Sequence, residues 1–196
     1  MTNRTNFMSL PRELRDQIYA ESLISPQPIH FNRITGPIVY DVEDNLLTLW
    51  STLPRIAEEA CEMFYQQNTF AVFDGDLPSL LGSSIHSWTI HACEDSVDRL
   101  ANEEPPEFDV RAWITKIEIF QEQSMFIDSR DLGAGLRQLL ACPHLQSVVI
   151  DTGPGFWRML HGESKLAIEE LTKKIGGGLK VHMGGSGYRS GVEYLI

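Results

Sequence analysis

The sequence predicts a mixed fold, α/β or α+β, with N-terminal helices packed on a short, partly parallel sheet. Three observations carry this. The C-terminal half alternates strand and helix patterns, and its strands begin about 31 and about 34 positions apart (Ile114, Leu145, Leu179), the length of a strand–helix–strand crossover between parallel neighbours. The N-terminal part holds two helical patterns separated by extended, proline-containing chain. The 196 residues, 42% hydrophobic and 22% charged, are enough to build one sizeable core and are ordinary globular composition rather than disorder. The chain divides into a helical unit with an extended insertion over 1–75 and an α/β unit over 76–196, packed as one body.

The first helix is expected from about Leu10 to Leu23. Pro11 suits a first turn, where its missing N–H costs nothing. Ser9 is the expected cap, and Glu13 lies where its charge meets the positive end of the helix dipole. Leu10, Leu14 and Ile18, four apart, form one stripe, with Tyr19 and Leu23 beside it. Residues 29–31 and 37–42 read as extended, with a turn from Asn32 to Gly36, so a small hairpin is expected. A short apolar stretch at 45–50 precedes the second helix, 52–67. There Ile56, Ala60, Met63 and Phe64 share a face, while Glu58, Glu59, Glu62 and Gln66 lie largely elsewhere, the glutamates reading as a solvated run. Residues 69–74 form a strand, and 76–83 one or two helical turns. The stretch 84–107 is ambiguous and ends in an acidic loop at Pro105-Pro106.

Beyond it the pattern is regular: strand 113–120, helix 130–143, strand 145–151, helix 163–178, strand 179–183. Leu139, Leu140, Leu145, Val148 and Ile150 are core candidates. The helix 163–178 has acids early, lysines late and glycines beyond its end, which fits both the dipole and a glycine stop. The last residues, VEYLI, suit an edge strand. The period near 31–34 residues resembles that of leucine-rich repeats, with few units and no strict consensus.

Charge and cysteine usage narrow the function. With 27 acidic and 16 basic residues the formal net charge is −11, which disfavours nucleic acid and anionic membranes as partners. Cys61, Cys93 and Cys142 are odd in number and far apart, which fits a reducing compartment and places the protein in the cytoplasm or nucleus. No apolar run reaches the roughly 18 residues of a membrane span.

Little in the sequence announces a reaction. The six histidines lack metal-ligand spacing, so no metal is expected. Cys142 and His144 flank a proline at a helix end rather than forming a thiolate–imidazole pair. The glycines of IGGGLKVHMGGSGYRSG lack the strand–loop–helix context of a phosphate cradle. Trp50, Trp88, Trp113 and Trp157 read as core or interface anchors. No cofactor and no catalytic residue is expected. An unrecognised small-molecule enzyme in the α/β half, using Cys142, His144 or His182 near strand ends, is the alternative from another functional class.

The stretch SLPRELRDQIYAESL resembles the start of an F-box, Leu-Pro-x-Glu-Leu-x-x-x-Ile, through Leu10, Pro11, Glu13, Leu14 and Ile18. With Tyr19, and with Arg55, Glu58, Glu59, Ala60, Phe64, Tyr65, Asn68, Thr69 and Phe70 further on, the chain resembles a family of fungal F-box-like proteins across roughly residues 8–73. The resemblance implies an intracellular, non-enzymatic protein–protein interaction module. More narrowly, it implies a substrate receptor of a ubiquitin ligase that docks on a Skp1-like adaptor. Leu10, Pro11, Glu13, Leu14, Ile18 and Tyr19 are then the candidate partner-binding residues. The physics of the first helix allows two placements for its Leu10–Leu14–Ile18 stripe: against a partner, or against Ile56, Ala60 and Phe64. The second is preferred, because so short a helix needs tertiary support.

Overall fold

The computed structural model describes residues 6–32, 36–38, 54–82, 109–120, 129–152, 162–183 and 192–194. Among them are helices α1 (Arg12–Leu23), α2 (Pro54–Gln67), α3 (Leu77–Gly82), α4 (Ser129–Leu140) and α5 (Gly162–Ile175). The strands are β1 (Ile29–Asn32), β2 (Gly36–Ile38), β3 (Thr69–Phe73), β4 (Lys116–Phe120), β5 (Ser147–Thr152), β6 (Leu179–Met183) and β7 (Val192–Tyr194). The expected segments 45–50 and 84–107 lie outside the described residues.

The mixed fold is as the sequence predicts. One sheet runs β2-β1-β3-β4-β5-β6-β7. Its five central strands, β1 and β3 to β6, are parallel, and β2 and β7 pair antiparallel at the two ends. The expected hairpin is the β1–β2 pair, with Phe31 opposite Pro37. A proline suits an end strand, where a missing N–H interrupts no inner ladder. The unit expected over 1–75 supplies β1 and β3 to this same sheet, so the line drawn after residue 75 falls between hydrogen-bonded neighbours.

Each parallel crossover moves one place in the same direction across the sheet, a course that with right-handed connections keeps the helices on one face. The side chains agree. Two rows cross the five parallel strands, Ile29–Phe70–Ile117–Val148–Leu179 and Phe31–Val72–Ile119–Ile150–Val181, and all ten residues are buried in the core they share with the helices. The alternate positions on β4 and β5, Lys116, Glu118, Phe120, Ser147, Val149 and Asp151, are half-buried. A parallel sheet covered on both faces reads as an unbroken apolar run. KIEIF and SVVIDT alternate because, among the described residues, the helices pack on one face.

The helices pack in chain order, α1 on α2, α3 on α4 and α4 on α5. Leu132, Leu136 and Leu139 of α4 are buried with Ala167, Ile168 and Leu171 of α5. The Lys174 ammonium reaches back to donate to the carbonyls of Leu140 and Cys142, each at 2.6 Å, closing the end of α4 with a positive charge. Helix α5 stops where the sequence places its glycines. Gly176 has φ +54°, a left-handed backbone that other residues adopt at a cost, and a Cβ on Gly178 would collide with the Gln146 carbonyl.

Candidate functional site

Helix α1 begins at Arg12, two residues later than expected, with Pro11 in the N-cap position. Ser9 does not cap it. That residue closes a 3-10 turn over Phe7–Ser9, and its hydroxyl donates to the Asn6 carbonyl at 2.5 Å. The inward stripe of α1 is Arg15, Tyr19 and Leu23, all buried. Leu14 and Ile18 are 44% and 41% exposed. The preferred placement of the Leu10–Leu14–Ile18 stripe is therefore corrected. The helix does lie on α2, but turned by about 100°, one residue's rotation, so that neighbouring positions face the core.

A polar clamp explains the rotation. Glu59 sits one turn into α2 and is buried, although the sequence places it with the solvated acids. Arg15 grips it with two nitrogens, Nη2 to Oε1 at 2.7 Å and Nε to Oε2 at 2.8 Å. Two parallel bonds between planar groups tolerate little rotation. Arg15 also donates to the Leu10 carbonyl at 2.6 Å, and the Tyr19 hydroxyl donates to Glu59 Oε2 at 3.3 Å. Arg55 approaches Oε1 at 3.3 Å from the same helix. Arg12 bonds Asp16 at 2.5 Å and Glu62 at 3.1 Å. The hydrogen bonds from Arg15 hold the Glu59 carboxyl below its ordinary pKa, against the opposing effect of burial. Burial first, and the Glu59 charge second, push the Tyr19 hydroxyl up to about 12.

Asn68 finishes the attachment. Its side-chain NH2 donates to the carbonyls of Leu23 at 2.8 Å and Phe64 at 2.9 Å, and its Oδ1 accepts from the Ser25 N–H at 2.7 Å. The ends of α1 and α2 are thus tied at the point where the chain enters β3. Below them Phe64, Tyr65 and Phe70 form a ring cluster with centroids 5.1 to 5.4 Å apart, and Trp113 stacks on Tyr65.

Clamping one side of α1 leaves the other outward. Glu13, Leu14, Gln17, Ile18 and Glu21 are exposed there, Ile24 follows at the helix end, and Leu10 is half-buried at its start. Of the six candidate partner-binding residues, Pro11, Glu13, Leu14 and Ile18 are exposed. Tyr19 is fully buried against Glu59 and Phe7 and belongs to the core. Arg15, Glu59 and Asn68, which orient the face, are not among those six. The clue available was the four-residue spacing of Arg15, Tyr19 and Leu23, which competes with the more apolar stripe beside it.

The residues of the enzyme alternative do not converge. Cys142 and His144 precede β5, whereas His182 lies near the end of β6, opposite Asp151, so about 13 Å of strand separates the two ends. Burial raises the Cys142 thiol to about 11 and the Cys61 thiol to about 12, which keeps both protonated. His30 is exposed and stacks on Phe120 at 6.4 Å. No three potential metal ligands gather among the described residues. Among them, too, no helix is long and apolar enough to cross a membrane. Compared with protein-family models, curated proteins and solved structures, the chain finds no match.

Proposed function

We propose that this chain is a non-enzymatic protein-interaction module of the F-box-like type, working in the cytoplasm or nucleus, and that it offers the outward face of α1 to a protein partner. The observation that carries the reading is the exposure of Leu14 and Ile18 on a helix held from behind by Arg15 and Glu59. A short helix in water is marginal. Here the clamp supplies the support that the apolar pair would otherwise provide, which leaves Leu14 and Ile18 free to enter a groove as residues one turn apart. The resemblance of 8–73 to fungal F-box-like proteins points the same way, and its narrower form makes the chain a ubiquitin-ligase substrate receptor.

The test is co-elution. The purified full chain is mixed with a Skp1 adaptor and passed over a sizing column. A complex that Leu14→Ala/Ile18→Ala abolishes, with circular dichroism and denaturant midpoint unchanged, supports the ligase reading. Absence of a complex ends that narrower form and leaves a different protein partner to be sought through the same face. A variant that unfolds places the two residues among the structural ones and removes the basis for the proposal.

A further inference from the structure

We infer that the surface receiving α1 is an apolar groove edged with Lys or Arg, on a protein other than a second copy of this chain. The inference rests on the proposed docking role of α1 and concerns the chemistry of its partner. The two arginines of α1 are both spent internally: Arg15 on Glu59, and Arg12 on Asp16 and Glu62. The charged side chains of α1 on its outward side are Glu13 and Glu21, exposed on either side of Leu14 and Ile18. The helix therefore presents two apolar knobs between carboxylates. Burying the knobs brings those carboxylates to the rim of the receiving groove, where cations attract them and acids repel them. Two copies meeting through this face would set Glu13 and Glu21 against their equivalents, on chains each carrying −11.

The experiment places p-benzoylphenylalanine at position 14 of the full chain and photo-crosslinks it in an extract of its own cells. A chain with the same group at exposed Glu169 is the control. The protein joined from position 14 is identified, purified and titrated against three chains: unaltered, Glu13→Gln/Glu21→Gln and Glu13→Lys/Glu21→Lys. Expected is a loss of affinity of about tenfold or more for the lysine variant, a smaller loss for the glutamine variant, and weakening of the unaltered pair as salt rises. The neutral variant guards against helix fraying caused by a cation in the first turn. Binding that needs Leu14 and Ile18 but ignores both charge variants and salt overturns the inference and leaves the docking role standing. A crosslinked dimer of the chain overturns the choice of partner. No product from position 14 beyond that from position 169 overturns both.

Discussion

Two helix pairs of the same dimensions are joined by different chemistry. In each, a helix of 12 residues lies on one of 14, α1 on α2 and α4 on α5. The α4–α5 seam is built mainly from leucines, an isoleucine and an alanine beside buried Ser164, with a half-exposed Arg137–Glu163 ion pair across it and one lysine reaching backbone carbonyls at its end. The α1–α2 seam has a buried ion pair at its centre. Apolar contact is non-directional and tolerates small rotations, whereas a two-pronged Arg–carboxylate bond does not. The first seam supplies cohesion. The second fixes which side of α1 looks outward, and that side carries the proposed function.

The largest effect that would sharpen this contrast is Leu136→Ala in the apolar seam, expected to cost about 2 to 5 kcal/mol in chemical denaturation. In the polar seam the order of effects is the diagnostic. Glu59→Met strands a buried guanidinium and should destabilise more than Arg15→Met/Glu59→Met, which removes the pair together. A double variant as unstable as the sum of its two singles would mean that Arg15 and Glu59 contribute independently, with no clamp between them, and would break the contrast.

Acid gives the next effect. Glu59 titrates below an unperturbed glutamate, so its contribution is complete above the unfolded value of about 4.3 and is lost as pH falls through the lower folded value. Urea midpoints measured down that range should fall less steeply for Arg15→Met/Glu59→Met than for the unaltered chain. Parallel curves would remove the clamp from the acid response. The smallest effects belong to Leu14→Ala and Ile18→Ala, each expected within about 0.5 kcal/mol of the parent as surface changes. Leu23→Ala, on the buried side of the same helix, should resemble Leu136→Ala.

The C-terminal half was legible because each element there obeys its own period. β6 matches its expected bounds of 179–183, α5 ends at its glycines, and Leu139, Leu145, Val148 and Ile150 are core as their spacing implies. The α1–α2 seam was legible in outline and not in rotation. Arg15 and Glu59 are 44 positions apart, and nothing local to either says that one will bury the other. Periodicity therefore favoured the leucine stripe, and a long-range polar contact overrode it. The cap failed for a local reason: Ser9 ends the 3-10 turn, its hydroxyl donating to the Asn6 carbonyl, and Pro11 takes the N-cap position instead.

Asn68 has a mechanical consequence. It holds the last turn of α1 through Leu23 and the following Ser25, four residues before β1, and it stands directly before Thr69 of β3. A tug on α1 therefore arrives at two adjacent parallel strands together. Because both strands start at the same end of the sheet, they are pulled as a pair, and the load falls on their hydrogen bonds to β2 and β4 instead of on the ladder between them.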